Sequence, residues 1–146
     1  MGPPAKAPLT RLIHSVPGAR IQIEAVVLAD GSCPAEEFLD GLGEVDTAKV
    51  MALFALFVQR FPQPLSREKF KKIEGTADLF EFKSFQLRLP CFFRPGGRLL
   101  LTHGLVKKAD RLPPREIQRA ADIKAAFEQR EGTHGYCALG KIDDSP

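Results

Sequence analysis

The stretch from Leu79 to Lys107 limits the possible folds more than any other part of the sequence, because it contains three consecutive segments with strand spacing. The first two, over 79–85 and 87–93, alternate, with apolar residues on one face at Phe80, Phe82, Leu87, Leu89, Cys91 and Phe93. Pro95-Gly96-Gly97 is typical of a hairpin turn. The third segment, 98–107, is apolar on both faces, as in a covered central strand. We therefore predict three antiparallel strands, with an interruption at Pro90, which has no N–H to donate.

The remaining segments predict one more strand and three helices. Residues 20–29 alternate like a strand, and a short helix begins at Pro34. Residues 48–61 are apolar on nearly every side and predict a helix packed in the core, an interpretation we prefer to a cofactor site. A last helix begins at Pro113 or Pro114 and ends at Gly132. The expected fold is α+β: a small antiparallel sheet packed against two N-terminal helices, with the C-terminal helix at its side or edge.

Length and composition favour one compact domain with two tails. We expect a flexible lead over 1–18, a domain over 19–131 and a tail over 132–146. Cys33, Cys91 and Cys137 lie too far apart for a zinc site or a disulfide framework, so we expect reduced thiols and no metal or cofactor. No signal peptide is evident, and the longest apolar run, 50–58, is too short to span a bilayer. These features predict a cytoplasmic protein without a membrane partner.

The positive charge is concentrated in the second half of the chain. The net charge is +3, yet residues 60–130 carry 16 Lys or Arg against 8 Asp or Glu. Such clustering suits a polyanionic partner, of which nucleic acid is the commonest. A solvated basic surface explains the same charges equally well.

Residues 72–121 carry a more specific signal. The informative segments are Lys72-Ile73-Glu74-Gly75, Leu79-Phe80-Glu81-Phe82-Lys83, Leu87-Arg88-Leu89, Phe92-Phe93, the run from Leu100 through Thr102-His103-Gly104 to Lys107-Lys108, and Pro113-Pro114-Arg115-Glu116-Ile117 with Ala120. In these segments the chain resembles the phage-derived branch of the RelE/HigB toxin superfamily, the toxins of type II toxin-antitoxin systems. Residues 20–61 agree with that family only in the order of their elements.

This resemblance implies a metal-independent endoribonuclease. Such toxins cleave messenger RNA, often on the ribosome, by attack of the ribose 2′-hydroxyl, and a cognate antitoxin, commonly of the helix-turn-helix type, neutralises them. The catalytic residues it implies here are Arg88, Lys83, His134 and Tyr136. The RNA-binding residues it implies are Lys71, Lys72, Lys107 and Lys108. Fixed cations suit the phosphate charge that develops during cleavage, and His, Lys or Tyr suit the proton transfers.

Several alternatives stay open at this level. Arg88 could instead form a surface salt bridge with Glu81. His103 fits a hydrogen-bonded core histidine as well as a catalyst, and His134 and Tyr136 fit a surface tail. Lys83 stands where the family more often has arginine, and the predicted sheet has no tyrosine. Both departures favour a catalytically inactive binding or regulatory protein of the same fold. A phage accessory nucleic-acid-binding module is a further alternative, although no recognition helix is evident. A helix-turn-helix protein encoded next to this chain would favour the toxin.

Overall fold

The computed structural model describes residues 8–107 and 111–143, with side chains described as far as residue 132. Within these ranges the chain forms seven strands and three helices. In chain order they are β1 (Thr10–His14), β2 (Gln22–Val26), α1 (Pro34–Asp40), α2 (Glu44–Arg60), β3 (Phe70–Lys72), β4 (Phe80–Ser84), β5 (Leu87–Arg94), β6 (Arg98–Leu101), β7 (Leu105–Val106) and α3 (Pro114–Asp143).

The strands form one mixed sheet in the order β1-β2-β6-β5-β4-β3, with β7 also paired to β5. Strands β2 and β6 are parallel, and the other pairs are antiparallel. The α+β class, the antiparallel meander and the C-terminal helix are confirmed. The prediction of a small, purely antiparallel sheet was wrong. It missed β1, which lies inside the predicted lead, and β3, which lies in a basic connector, because both strands are short and largely polar.

Helices cover both faces of the sheet. Face A, which bears Phe82, Leu89 and Leu99, is covered by α1 and α2 through a buried stripe that includes Phe54 and Phe57. The rings of Phe54 and Phe57 lie 5.0 and 5.1 Å from that of Phe82, so α2 is a core helix. Face B, which bears Val26, Phe92 and Leu100, is covered by α3 through Ala120, Ile123 and Phe127. The last helix therefore packs across a face rather than at the side or edge.

Two predicted segments end differently in the structure. The segment over 98–107 is divided into β6 and β7, because its pairing with β5 stops opposite Leu89 and Pro90. There the Thr102 N–H donates to the Pro90 carbonyl at 2.9 Å. The last helix does not end at Gly132 but continues to Asp143, so it runs through most of the predicted tail. Gly132 by itself costs a helix only about 1 kcal/mol, as do Gly135 and Gly140 after it, and no proline follows before residue 146.

The Gly96-Gly97 turn offers a matched test of the β5–β6 hairpin. Both glycines have positive φ, but only at Gly97 would a Cβ collide with backbone, at the Arg20 carbonyl oxygen. Gly96→Ala should cost about 1–2 kcal/mol of unfolding free energy from the positive φ alone. Gly97→Ala should cost a further ~1–3 kcal/mol, the usual cost of overpacking. Equal losses of unfolding free energy in the two variants, measured by urea unfolding, would contradict a close approach between Gly97 and the Arg20 carbonyl.

Candidate functional site: a charged cluster on face B

The strand register brings five charged residues to one region of face B. Lys71 pairs with Glu81 across β3 and β4, and Lys83 pairs with Arg88 across β4 and β5. Leu105 pairs with Arg88, and the Lys107 N–H donates to the Gln86 carbonyl at 2.7 Å, which puts Lys107 on the same face as Arg88. Residues paired across a sheet project to the same side. We call Lys71, Glu81, Lys83, Arg88 and Lys107 the charged cluster.

A buried ion pair lies at the centre of the charged cluster. Glu81 is 2% exposed, and its Oε1 lies 3.7 Å from Arg88 Nε. Neither atom has a hydrogen-bond partner, although both are buried. Arg88 Nη1 instead donates to the carbonyls of Phe85 and Leu87 at 2.5 and 2.8 Å. Arg88 therefore does pair with Glu81, but the pair is buried rather than on the surface. The Oε1 oxygen of Glu81 keeps its capacity to accept a hydrogen bond.

Lys107 is the buried cation of the charged cluster, only 3% exposed. Burial lowers the pKa of its ammonium group, and the nearby charge of Arg88 lowers it further, while Glu81 acts in the opposite direction. Lys83 and Lys71 also contribute to lowering this pKa. A lysine with a lowered pKa gives up its proton more readily than an exposed one, so Lys107 has the properties of a proton donor as well as of a fixed charge.

A cavity borders Glu81. It has a volume of about 350 Å³ and is lined by Lys71, Ile73, Glu74, Glu81, Arg111, Leu112, Pro113, Pro114 and Ile117. The first turn of α3 forms one wall, and β3 and β4 form the other. Its lining combines apolar walls with two cations and two carboxylates, the composition expected of a small-ligand or substrate site.

The structure brings together only some of the site residues predicted from sequence. Arg88, Lys83, Lys71 and Lys107 lie in the charged cluster. Lys72 pairs with Phe80 and therefore projects from the opposite face, away from Lys71. Lys108 lies outside the described residues, as do the side chains of His134 and Tyr136.

His103 is a core residue. It is fully buried, and its ring nitrogens lie 3.0 Å from Thr102 Oγ1 and 3.0 Å from a carboxylate oxygen of Glu116. Burial lowers the pKa of His103 despite the opposing hydrogen bond with Glu116. These contacts join the end of β6 to the first turn of α3, so His103 supports one wall of the cavity.

Glu81 was not among the predicted site residues, because alternation alone marks it as polar and outward-facing. One signal was available in the sequence. Within 79–97, the meander as far as the hairpin turn, Glu81 is the only acidic residue, whereas Lys83, Arg88 and Arg94 are basic. A lone carboxylate among cations on a central strand is a candidate proton acceptor.

A second buried carboxylate, Glu24, has a structural role on the same face. Arg98 donates to both of its oxygens, at 2.8 and 2.9 Å, and Gln22 and Thr10 also donate to it. Burial alone would raise the pKa of Glu24, but these hydrogen bonds outweigh it and lower the pKa below its ordinary value of 4.5. Arg98 also lies 3.7 Å from Glu131 of α3. The network therefore links β1, β2 and β6 to α3.

The lowered pKa of Glu24 predicts a pH-dependent contribution to stability. A carboxyl group whose pKa is lower in the folded state stabilises the fold above its unfolded pKa, and that stability is lost as the pH falls through the folded value. Glu24→Gln should cost about 2 kcal/mol of unfolding free energy at pH 7, and the difference from wild type should shrink below about pH 4.5. The exposed Glu68 offers the control, since Glu68→Gln should change little at either pH. A difference that stays constant from about pH 7 to about pH 3 would refute this role of the Glu24 charge.

Comparison with known proteins identifies a family. A family model described as "Phage derived protein Gp49-like (DUF891)" matches residues 37–125, more than half of the chain. The matched segment runs from α1 into α3 and contains all five residues of the charged cluster. No curated protein matches the chain. Among the described residues, no helix is long and apolar enough to cross a membrane, and no group of three or more His, Cys, Asp or Glu is placed to hold a metal ion.

Proposed function

The chain belongs to the phage-derived Gp49-like family, and we propose that it is a RelE/HigB-like toxin that cleaves RNA at the charged cluster. The observation that carries this proposal is the buried Glu81 carboxylate, which has one oxygen without a hydrogen bond, lines a cavity and is surrounded by four cations. A carboxylate that can accept a proton, next to cations that can hold a phosphate, is one combination that supports RNA cleavage without a metal.

The proposed reaction uses the RNA's own 2′-hydroxyl as the nucleophile. The 2′-oxygen forms a bond to phosphorus while the bond from phosphorus to the 5′-oxygen breaks, which leaves a 2′,3′-cyclic phosphate and a 5′-hydroxyl. The carboxylate of Glu81 accepts the 2′-hydroxyl proton. The ammonium of Lys107 donates a proton to the departing 5′-oxygen, helped by its lowered pKa. Lys83 and Arg88 stabilise the negative charge that accumulates on the phosphate oxygens.

Induced expression in a bacterial host tests the function as a whole. We expect wild-type expression to arrest growth and to deplete messenger RNA, and Glu81→Gln to relieve the arrest at equal soluble expression. Arg88→Ala is a poorer test, because Arg88 also holds the carbonyls of Phe85 and Leu87 and its loss would loosen that turn. Normal growth with abundant soluble wild-type protein would contradict the toxin proposal.

A catalytically inactive binding protein is the second candidate. One observation favours it: the Arg88 side chain is only 11% exposed, and its Nη1 already donates to two backbone carbonyls. An arginine engaged in this way contributes to the fold and has less capacity to bind a phosphate. RNA binding without cleavage, together with unimpaired growth, would favour this candidate.

We further propose that a cognate antitoxin, of the helix-turn-helix type, restrains the protein by covering the charged cluster with an acidic segment. The excess of cations on this part of face B favours such a partner, because attraction between complementary charges speeds association and weakens as salt screens it. Pull-down from the native host should recover a stoichiometric partner at low salt and less of it at high salt. Salt-insensitive recovery would instead favour an apolar partner, and the absence of any partner would count against the antitoxin.

A further inference from the structure

The most exposed large apolar side chain described in this protein lies beside the charged cluster. Phe85, at the tip of the β4–β5 turn, is 74% exposed, so at least part of its ring is open to solvent. Its φ is also positive, at 56°, which no other non-glycine residue in the described part of the chain shares. A bulky residue is strained in that conformation, and glycine would relieve the strain. Neither burial nor turn geometry therefore explains a phenylalanine here.

The turn that carries Phe85 is held by two members of the charged cluster. Arg88 Nη1 donates to the Phe85 carbonyl at 2.5 Å, and the Lys107 N–H donates to the Gln86 carbonyl at 2.7 Å. These bonds fix the backbone of the turn beside Lys83 and Arg88, whereas the ring itself lies against Lys49 of α2. This arrangement matches a nucleotide, in which a flat base is joined through one sugar to a phosphate.

The surroundings of the ring are cationic. Lys49 Nζ lies 4.0 Å from the ring centroid. The groove of about 400 Å³ beside Phe85 is lined by this lysine, Lys69 and Lys83, by the carboxylate Glu68, and by the apolar α2 residues Ala52, Leu53 and Leu56. An exposed aromatic ring surrounded by lysines is how single-stranded nucleic acids are bound, with bases stacked on rings and phosphates held by cations. An apolar protein partner could use the Ala52, Leu53 and Leu56 wall of the groove, but it would leave the three lysine charges without a counter-charge, which RNA phosphates supply.

We propose that Phe85 is the stacking platform for a base of single-stranded RNA next to the phosphate bound at the charged cluster. This inference rests on the proposed function, since it assumes that RNA is the substrate. The base would lie against the exposed part of the ring, and Lys49 would hold the ring from another side. The platform would position the nucleotide without taking part in the proton transfers, so Phe85 is a positioning residue.

A single tryptophan tests the stacking directly, because the chain contains none. In the Phe85→Trp variant, a 2′-O-methylated RNA hexamer, which lacks the attacking hydroxyl, should quench the fluorescence on binding. Leu12→Trp is the control variant, because Leu12 is exposed on β1 and two strands, β2 and β6, separate it from β5. Adding the hexamer should leave the fluorescence of this variant unchanged. Inorganic polyphosphate, which has charge but no bases, should bind Phe85→Trp with little quenching.

Removing the Phe85 ring should change RNA affinity and thermal stability in opposite directions. Phe85→Gly should raise the melting temperature by relieving the positive φ, yet weaken binding of the hexamer about tenfold, with polyphosphate binding unchanged. Hexamer affinity equal to wild type in Phe85→Gly would overturn the stacking proposal while leaving the proposed function intact. Loss of stoichiometric partner binding, with RNA affinity unchanged, would overturn it in favour of a protein-docking role. Failure of every variant and of wild type to bind the hexamer or polyphosphate would overturn both proposals.

Discussion

Glu81→Gln should slow RNA cleavage by about 10²–10⁴-fold, the contribution typical of a general base. The substitution keeps the size of the side chain but removes its capacity to take up the 2′-hydroxyl proton together with the charge that faces Arg88. Because Glu81 faces the buried Arg88 guanidinium, the amide should also lower the free energy of unfolding, and the cleavage rate is therefore compared at a temperature where the variant is fully folded. The measurement is a single-turnover cleavage assay, with and without ribosomes, supported by circular dichroism and a thermal melt of each variant.

Glu74 provides the matched control for this substitution. It lines the same cavity, but its side chain is 65% exposed and pairs with Arg111 at 3.3 Å. Glu74→Gln should leave the cleavage rate within about threefold of wild type, since a surface ion pair of this kind contributes at most about 1 kcal/mol. Equal rate losses in the two variants, or wild-type activity in Glu81→Gln, would remove Glu81 from the proton-acceptor role.

Lys107→Met should lower the cleavage rate by about 10²-fold or more, because it removes both a proton donor and a cation next to the phosphate. Lys107→Arg separates these two contributions. Arginine keeps the charge but stays protonated, so it should restore RNA binding without restoring the rate. In wild type, the rate should fall at high pH as Lys107 loses its proton, and its lowered pKa brings that fall to a lower pH than an ordinary lysine would. Lys107→Met should lack this fall.

Lys72 provides the control for Lys107. It is an exposed lysine that projects from the other face of the sheet, so Lys72→Met should leave both the rate and its pH profile unchanged. Full activity in Lys107→Arg would show that the charge alone matters and that another group donates the proton. Wild-type activity in Lys107→Met would exclude this lysine from the site.

The helices and the strands joined by short turns could be predicted from the sequence, but the pairing of strands that lie far apart in the chain could not. Alternation over 79–93 and the Pro95-Gly96-Gly97 turn predict the meander. The apolar segment over 48–61 predicts α2, and helical spacing of apolar residues predicts α3. The parallel pairing of β2 with β6 joins segments that lie far apart in the chain, for which periodicity holds no information. Short strands such as β3 are stabilised by the neighbour they pair with rather than by their own composition.

The candidate site was predicted in part for the same reason. Arg88 and Lys83 were predicted through the family resemblance, but the position of Lys107 beside them depends on the break between β6 and β7. Burial changes the chemistry of Glu81 and Lys107, and the burial of these two side chains depends on tertiary packing that periodicity does not predict. The presence of Lys71 but not Lys72 in the charged cluster follows from strand register, which the run of two lysines in the sequence does not reveal.

The chemistry of the RNA ends tests the central claim most directly. Purified protein would be incubated with messenger RNA, with and without ribosomes, in the presence of a metal chelator, and the product ends would be identified by mass spectrometry. The proposed reaction predicts 2′,3′-cyclic phosphate and 5′-hydroxyl ends in wild type and their near absence in Glu81→Gln. Intact RNA under all these conditions, or products with 3′-hydroxyl and 5′-phosphate ends, would contradict it.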